Sequence, residues 1–295
     1  MSLDLKGTGV AIVTPFKNDK SLDLPALGKL VEYIITGGVE YIVILGTTGE
    51  SATLTSEEKR AVTDKVLETN AGRIPLVLGI GGNNTSAVVD QLKKTDLKGI
   101  SAILSVSPYY NKPTQEGIYQ HYKVINEASP LPVILYNVPP RTGSNVTADT
   151  ILRIAHDCPN IVAVKEASGD VGQSMAIIKD RPEGFCVLSG EDLLTLPLVA
   201  SGAEGVISVV ANAFPREYSD MVRLAASGDL EAAQKNHYLL QDVIKYLFTD
   251  GNPGGVKAAL KILGIAGDDL RLPLVNISSQ TFDKLNSLIQ GIKKA

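Results

Sequence analysis

The sequence has few of the residues that build disulfide-bonded or metal-bound folds. Its 295 residues include only two cysteines, Cys158 and Cys186, and three histidines. Two cysteines cannot form a disulfide framework or a tetrahedral four-cysteine zinc site. The histidines, His121, His156 and His237, lie far apart in stretches with helical patterning, and no two of them have metal-ligand spacing. We therefore expect a reduced protein that binds no metal.

Long apolar runs and an excess of positive charge are also missing. No apolar run reaches the roughly 18–20 residues that a membrane-spanning helix requires. The amino-terminal segment carries acidic Asp4 and lacks the basic and apolar regions of a secretory signal. The 28 Lys and Arg residues are outnumbered by 32 Asp and Glu residues, whereas binding to nucleic acid requires a basic surface that neutralises phosphates. We expect a cytoplasmic protein that binds neither membranes nor nucleic acid.

Eight short apolar segments recur along the chain, and stretches of helical periodicity separate them. Several of these segments are apolar at every position, which is typical of parallel strands buried on both faces. An alternation of strand and helix repeated eight times predicts a (β/α)8 barrel, also called a TIM barrel. The predicted strands are Gly9–Thr14, Tyr41–Leu45, Leu76–Ile80, Ser101–Val106, Val133–Tyr136, Ile161–Val164, Cys186–Leu188 and Gly205–Val209.

The chain beyond the eighth segment shows no further strand signal. We predict an α/β protein in which residues 1–228 form the barrel and residues 229–295 form a small C-terminal α-helical domain. A doubly wound dinucleotide-binding sheet is the alternative, but the nearest glycine-rich segment, Gly79–Asn84, has asparagine where the third glycine of the motif belongs. The predicted C-terminal helices are Asp229–Phe248, Gly255–Leu263 and Thr281–Ile292.

Lys165 is the most informative residue at the predicted strand ends, where TIM barrels carry their active sites. It follows the apolar strand Ile161–Val164, so its amine should project into the mouth of the barrel. Burial disfavours the charged form of a lysine and makes the amine available as a nucleophile toward carbonyl groups. The alternative is that Lys165 pairs with a nearby carboxylate such as that of Glu50.

Hydroxyl groups and one arginine surround this predicted mouth. Tyr136 ends another strand and could transfer protons, or its hydroxyl could be buried and satisfied within the core. The turn Gly46–Glu50 offers backbone amides and the hydroxyls of Thr47 and Thr48, which suit a carboxylate ligand. Arg141 could bind a carboxylate with both arms of its guanidinium group, or it could be solvated in its loop.

Six motifs at these strand ends occur in a characteristic order. They are Gly46–Glu50, Pro108–Asn111, Tyr136–Pro139 followed by Arg141–Gly143, Lys165–Glu166, Ser189–Asp192 and Gly205–Ser208. Together they resemble the dihydrodipicolinate synthase family, one of the Schiff-base lyases of the class I aldolase superfamily, over essentially the whole chain. The resemblance implies condensation of pyruvate with aspartate semialdehyde in lysine and diaminopimelate biosynthesis.

The resemblance also implies roles for individual residues. Lys165 would form an imine with pyruvate and no other cofactor would be needed, while Tyr136, Thr47 and Tyr110 would relay protons, Tyr110 coming from a neighbouring subunit. Pyruvate would be held by Thr48 and the backbone at Ile207, near Gly190, and Arg141 would receive the carboxylate of the semialdehyde. The expected assembly is a homotetramer of tight dimers.

In lysine-inhibited relatives an interface pocket binds the feedback inhibitor. The corresponding positions here are Ser51, Ala52, Lys59, Asn83, Ala87 and Tyr109. Ala87 replaces a carboxylate and Lys59 replaces an imidazole of the strongly inhibited type, so inhibition by lysine should be weak or absent. Two other functions remain open: a sister pyruvate-dependent aldolase, such as N-acetylneuraminate lyase or a keto-deoxy sugar acid aldolase, and a non-catalytic sensor of keto acids.

Overall fold

The computed structural model describes residues 4–293 and contains a closed barrel of eight parallel strands. Each strand pairs with the next one along the chain, and β8 pairs with β1 to close the sheet. The predicted α/β barrel is therefore confirmed. The strands are β1 (Gly7–Ala11), β2 (Tyr41–Ile44), β3 (Leu76–Gly79), β4 (Ala102–Val106), β5 (Val133–Asn137), β6 (Ile161–Glu166), β7 (Cys186–Ser189) and β8 (Gly205–Ser208).

Helices follow the strands, and several begin at a side chain that caps the free backbone N–H groups of the first turn. Thr55, Asn84, Thr114 and Thr147 each accept such a hydrogen bond. None of the helices within residues 4–293 is long and apolar enough to cross a membrane. The helices are α1 (Leu24–Thr36), α2 (Ser56–Asn70), α3 (Thr85–Lys94), α4 (Gln115–Ala128), α5 (Pro139–Thr142), α6 (Ala148–Asp157), α7 (Val171–Asp180), α8 (Thr195–Ala200), α9 (Pro215–Ala226), α10 (Leu230–Thr249), α11 (Gly254–Leu263) and α12 (Ser279–Ile292).

Two strand boundaries differ from the prediction in a way that bears on the site. The first strand ends at Ala11, not at Thr14, because the next residues bond to loops: Val13 N–H donates to Asn212 Oδ1 and the Thr14 hydroxyl donates to the Gly49 carbonyl. The sixth strand continues past Val164 through Glu166. An apolar run could not show this extension, because the two added residues are charged.

Buried apolar side chains form two layers, one inside the barrel and one between the strands and the outer helices. The inner layer includes Tyr136, Ile207 and Ala167, whereas the outer layer is continuous with the buried faces of α10, α11 and α12. The predicted C-terminal helices are therefore present and packed on the barrel. The boundary between residues 228 and 229 stays a prediction.

Contacts from the segment after α11 fasten the C-terminal region to the start of α2. The guanidinium group of Arg271 donates to both carboxylate oxygens of Glu58, at 2.6 and 2.7 Å. It also donates to the carbonyls of Thr53 and Lys20 and lies over the ring of Phe16. The hydrogen bonds from Arg271 lower the pKa of Glu58 to about 2, so this carboxylate stays ionised in weak acid and holds the two regions together.

We expect Arg271→Gln to destabilise the protein by about 1–2 kcal/mol at neutral pH, because one paired and partly buried charge loses its partner. The depressed pKa of Glu58 makes this stabilisation complete above the usual value of 4.5 and removes it as the pH falls toward 2. The loss of stability should therefore shrink between pH 7 and pH 3 in urea denaturation. The exposed pair between Arg153 and Glu116 provides the control Arg153→Gln, which should cost less. An equal cost of Arg271→Gln at both pH values would contradict this account.

Candidate active site

Lys165 and Tyr136 lie side by side on neighbouring strands, in register across β6 and β5. Both residues are buried, with 5% and 7% of their surface exposed. The Lys165 Nζ atom lies 4.4 Å from the centre of the Tyr136 ring. An aromatic face attracts an amine in this position, and no ion pair joins Lys165 to a carboxylate within residues 4–293. The two residues predicted to react with and protonate a carbonyl substrate are therefore brought together at the mouth of the barrel.

Glu166, the next residue on β6, anchors the strand ends. Its carboxylate accepts hydrogen bonds from Asn137 Nδ2, Gln173 Nε2 and the backbone N–H of Ser168, at 2.7 to 3.2 Å. These donors belong to β5, to α7 and to the loop that precedes it. Glu166 thus fixes the carboxyl ends of β5 and β6, which carry Tyr136 and Lys165.

The segment Gly46–Glu50 forms a tight turn at the end of β2. Thr47–Gly49 make one turn of 3₁₀ helix, and the backbone of Leu45 and Glu50 on either side is left-handed, with φ of 58° and 52°. Thr48 is buried at 3% exposure, whereas Thr47 is exposed. The Thr48 hydroxyl accepts a hydrogen bond of 2.9 Å from Asn252 Nδ2, so a residue far along the chain reaches this turn.

Glu50 pairs with Lys257 and not with Lys165, so the alternative in which Glu50 neutralises Lys165 is wrong. The side chains of Glu50 and Lys257 are fully buried and form an ion pair. The Lys257 amine also donates to the Asp269 carbonyl at 2.8 Å and lies 4.3 Å from the centre of the Phe16 ring. Burial lowers the pKa of Lys257, and the Glu50 carboxylate opposes that shift. The sequence did contain a signal for this pair, a single lysine within the apolar stretch Gly254–Leu260.

Two carboxyl groups, those of Glu191 and Asp192, follow the end of β7. Burial and the neighbouring Asp192 raise the pKa of the half-buried Glu191, while Lys165 and Arg141 lower it. Asp192 is buried, and its carboxylate accepts hydrogen bonds from the backbone N–H groups of Val209 and Val210. Asp192 thus holds the chain just after β8, while the pKa of Glu191 is sensitive to both predicted cations.

Gly190 and Ile207 lie in this part of the barrel, with structural reasons for their identities. A Cβ atom on Gly190 would lie 2.5 Å from the Cβ atom of Ala167, so only glycine fits. The Gly190 N–H donates to the Glu166 carbonyl at 2.7 Å. Ile207 is 1% exposed and belongs to the inner apolar layer with Tyr136. Its position on β8 leaves its backbone as the polar part that could contact a ligand.

Tyr110 and Arg141 are exposed, and a hydrogen bond connects the two segments that carry them. The Tyr110 N–H donates to the Thr142 carbonyl at 3.2 Å, which ties the loop after β4 to the short helix α5 that carries Arg141. The Tyr110 side chain is 88% exposed. Among residues 4–293 its hydroxyl has no hydrogen bond with Thr47 or Tyr136. The single chain therefore does not bring the third predicted relay residue to the other two.

The residues predicted to bind a regulator divide into two groups. Ser51 and Lys59 line a cavity that reaches Thr47 and Tyr136. Asn83 Nδ2 donates to the Tyr109 carbonyl, and these two residues are exposed, as are Ala52 and Ala87.

No group of three or more potential metal ligands occurs in the part of the chain from residue 4 to residue 293. The three histidines lie in α4, α6 and α10, as predicted. Burial lowers the pKa of His121 to about 4, and its ring Nδ1 bonds to the Thr85 hydroxyl at 2.8 Å.

The chain is similar to several known proteins over nearly the whole length of each. Residues 4–292 match the model of the "Dihydrodipicolinate synthetase family". A 4-hydroxy-tetrahydrodipicolinate synthase of Parabacteroides distasonis is 54% identical over 290 residues, covering 98% of each chain. The corresponding enzyme of Flavobacterium psychrophilum is 52% identical over 288 residues, again covering 98% of each. The crystal structure of dihydrodipicolinate synthase from Thermotoga maritima superimposes with a TM-score of 0.95 at 41% identity, covering 98% of this chain and 99% of that one. The chain thus belongs to the dihydrodipicolinate synthetase family.

Proposed function

We propose that this protein is a Schiff-base lyase that condenses pyruvate with L-aspartate 4-semialdehyde to give 4-hydroxy-tetrahydrodipicolinate, in lysine and diaminopimelate biosynthesis. The observation that carries the proposal is the buried Lys165 amine beside the Tyr136 ring, at the mouth of a barrel of this family. A lysine placed this way suits attack on a ketone carbon, because a buried amine at the barrel mouth can reach a bound substrate as a nucleophile.

The reaction begins when Lys165 Nζ attacks C2 of pyruvate and water leaves, which forms an iminium ion. The iminium withdraws electrons more strongly than the ketone, so a proton leaves the pyruvate methyl group and an enamine forms. The enamine carbon then bonds to the aldehyde carbon of the semialdehyde, whose oxygen takes up a proton, and the iminium on Lys165 is restored. The amino group of the semialdehyde attacks the iminium carbon, which closes the ring and releases the Lys165 amine. The iminium is itself the electron sink, so we propose that the reaction needs no metal or other cofactor.

Protons for these steps pass along hydroxyl groups in our proposal. Tyr136 lies beside the reacting amine, and Thr47 lines the same cavity. A connected chain of hydroxyls moves protons that a single phenol would hold too tightly. Tyr110 is the third member and comes from a neighbouring subunit, which agrees with its 88% exposure in the single chain.

The carboxylates of the two substrates bind to different residues in our proposal. Thr48, with the backbone of the turn and of Ile207 near Gly190, holds pyruvate, whereas Arg141 receives the semialdehyde carboxylate. Both Arg141 and Lys165 lower the pKa of Glu191, which supports a role for the two cations at one site. A sister aldolase that acts on sugar acids would not need Arg141, so this residue favours the semialdehyde. We further propose that the enzyme is cytoplasmic and forms a homotetramer of tight dimers.

Borohydride added with pyruvate should reduce the imine and attach one pyruvate-derived group per chain, found on Lys165 by peptide mass mapping. Lys165→Arg should abolish this labelling, because a guanidinium group stays protonated and does not attack carbonyls. Lys261→Arg, at an exposed lysine that pairs with Asp268, serves as the control and should leave Lys165 labelled. A label on a different lysine, or no label, would overturn the assignment.

Mixing two inactive variants tests the contribution of Tyr110 from a neighbouring subunit. Tyr110→Phe lacks the donated hydroxyl and Lys165→Ala lacks the nucleophile, so mixed dimers should contain one site with both groups intact. Activity should therefore return after subunit exchange, toward about a quarter of the parental value if exchange is complete and random. Full activity of a demonstrated monomer would contradict the proposal.

Added lysine should inhibit the enzyme weakly or not at all. Ala87 supplies no carboxylate to pair with the amine of lysine, and the cation of Lys59 lines the adjoining cavity. Losing a charge-assisted hydrogen bond costs on the order of 1.5–3 kcal/mol, or roughly ten-fold or more in affinity. A lysine titration at saturating pyruvate measures this, and half-inhibition below millimolar lysine would refute the interpretation. Ala87→Glu should increase sensitivity to lysine.

A further inference from the structure

The C-terminal helical region reaches the threonine turn of the active site at two separate points. Asn252, just before α11, bonds to Thr48, and Lys257, one turn into α11, pairs with Glu50. Thr48 and Glu50 belong to the same five-residue turn, Gly46–Glu50. No residue of this C-terminal region enters the reaction proposed above.

Lys257 acts on the turn through the backbone of Glu50. Glu50 ends the 3₁₀ turn, and its N–H donates to the Thr47 carbonyl at 3.1 Å. Its left-handed backbone is unfavourable for a residue with a side chain and persists only where surrounding contacts impose it. The buried carboxylate supplies those contacts, because it accepts from Lys257 and, at 3.3 Å, from the Arg271 N–H. Holding the carboxylate therefore fixes the position of Thr47.

Asn252 acts on the direction of the Thr48 hydroxyl. Because Asn252 Nδ2 donates to Thr48 Oγ1, that oxygen is an acceptor in this bond and its own hydrogen remains free. The hydroxyl can then donate to an anionic ligand at the turn. If the amide were reversed, its oxygen would take the hydroxyl hydrogen and the ligand would lose this donor.

We propose that Asn252 and Lys257 are positioning residues of the lyase: Asn252 directs the Thr48 hydroxyl toward pyruvate, and Lys257 fixes the threonine turn through Glu50. The inference rests on the proposed function, in which Thr48 binds the pyruvate carboxylate. It makes the C-terminal helices part of the structure that supports the active site. It connects them with the binding of pyruvate rather than with the binding of the semialdehyde.

Asn252 is tested by a double-mutant cycle with Thr48. We expect Asn252→Ala to raise the KM for pyruvate about ten-fold, the effect of losing one oriented hydrogen bond to a charged group, with little change in the KM for the semialdehyde. Because Asn252 acts through the Thr48 hydroxyl, Thr48→Val/Asn252→Ala should match Thr48→Val alone. Additive effects, or equal damage to both substrates, would show a merely structural role. Asn252→Asp can only accept the hydroxyl hydrogen, so a parental pyruvate KM in this variant would also overturn the proposal.

The positioning role of Lys257 can be tested with a double variant that leaves no buried charge unpaired. Lys257→Met alone strands the Glu50 carboxylate and should destabilise the fold, whereas Glu50→Gln/Lys257→Met keeps an acceptor for Arg271 and removes both charges. We expect this double variant to fold. Its kcat/KM for pyruvate should be about ten-fold below that of the parent, because the turn is no longer held in position. Lys261→Met, one turn further along α11 at an exposed pair with Asp268, is the matched control and should behave as the parent.

Two outcomes would overturn the assignment of Lys257: a folded Glu50→Gln/Lys257→Met variant with parental pyruvate kinetics, and a double variant that does not fold. Borohydride labelling of the parent at Lys165, run alongside, separates this inference from the proposed function. A parent that is not labelled by pyruvate would refute the function itself. A labelled parent with unaffected variants would refute only the positioning roles.

Discussion

The buried ion pair between Glu50 and Lys257 is the contact on which the arrangement of the site depends. It joins the turn after β2 to α11, two regions separated by about two hundred residues of sequence. A buried pair of this kind is seldom worth more than well-packed apolar side chains, but removal of one partner costs about 3–5 kcal/mol. Its effect is therefore to specify a geometry. The threonine turn keeps its left-handed corner because its last side chain has one buried partner in α11.

Ion pairs and hydrogen bonds between specific residues also determine how charge is distributed around the mouth of the barrel. Within residues 4–293 Lys165 lies against an aromatic ring and has no carboxylate in an ion pair with it. Glu50 pairs with Lys257, and Glu166 accepts hydrogen bonds from Asn137 and Gln173. Glu191 is the half-buried carboxylate that stays in the field of Lys165 and Arg141. The charge of Glu50 is thus balanced by Lys257, so that Lys165 and Arg141 remain available to anionic substrates.

The sequence predicted the barrel, its strand order and the placement of Lys165, because parallel strands buried on both faces leave continuous apolar runs. It did not predict that β6 continues through Glu166, since charged residues end such a run. The alternative that it left open paired Lys165 with Glu50, whereas the partner of Glu50 is Lys257. The lone lysine in an apolar stretch indicated a buried partner but not which distant segment supplies it. The identity of Gly255, the second residue of α11, has a reason that only packing shows: a Cβ atom there would lie 2.1 Å from the Leu247 carbonyl oxygen of α10. The single chain does not bring Tyr110 to the other proposed relay hydroxyls, and our proposal assigns that contact to a second subunit.

A crystal structure of the protein with pyruvate tests the central claim most directly, namely that the turn held by α11 and the amine on β6 together form the pyruvate site. We predict continuous density from Lys165 Nζ to C2 of pyruvate, with the pyruvate carboxylate within hydrogen-bond distance of the Thr48 hydroxyl and Asn252 still donating to that hydroxyl. Pyruvate attached to another lysine, or a carboxylate bound away from the Gly46–Glu50 turn, would contradict the account.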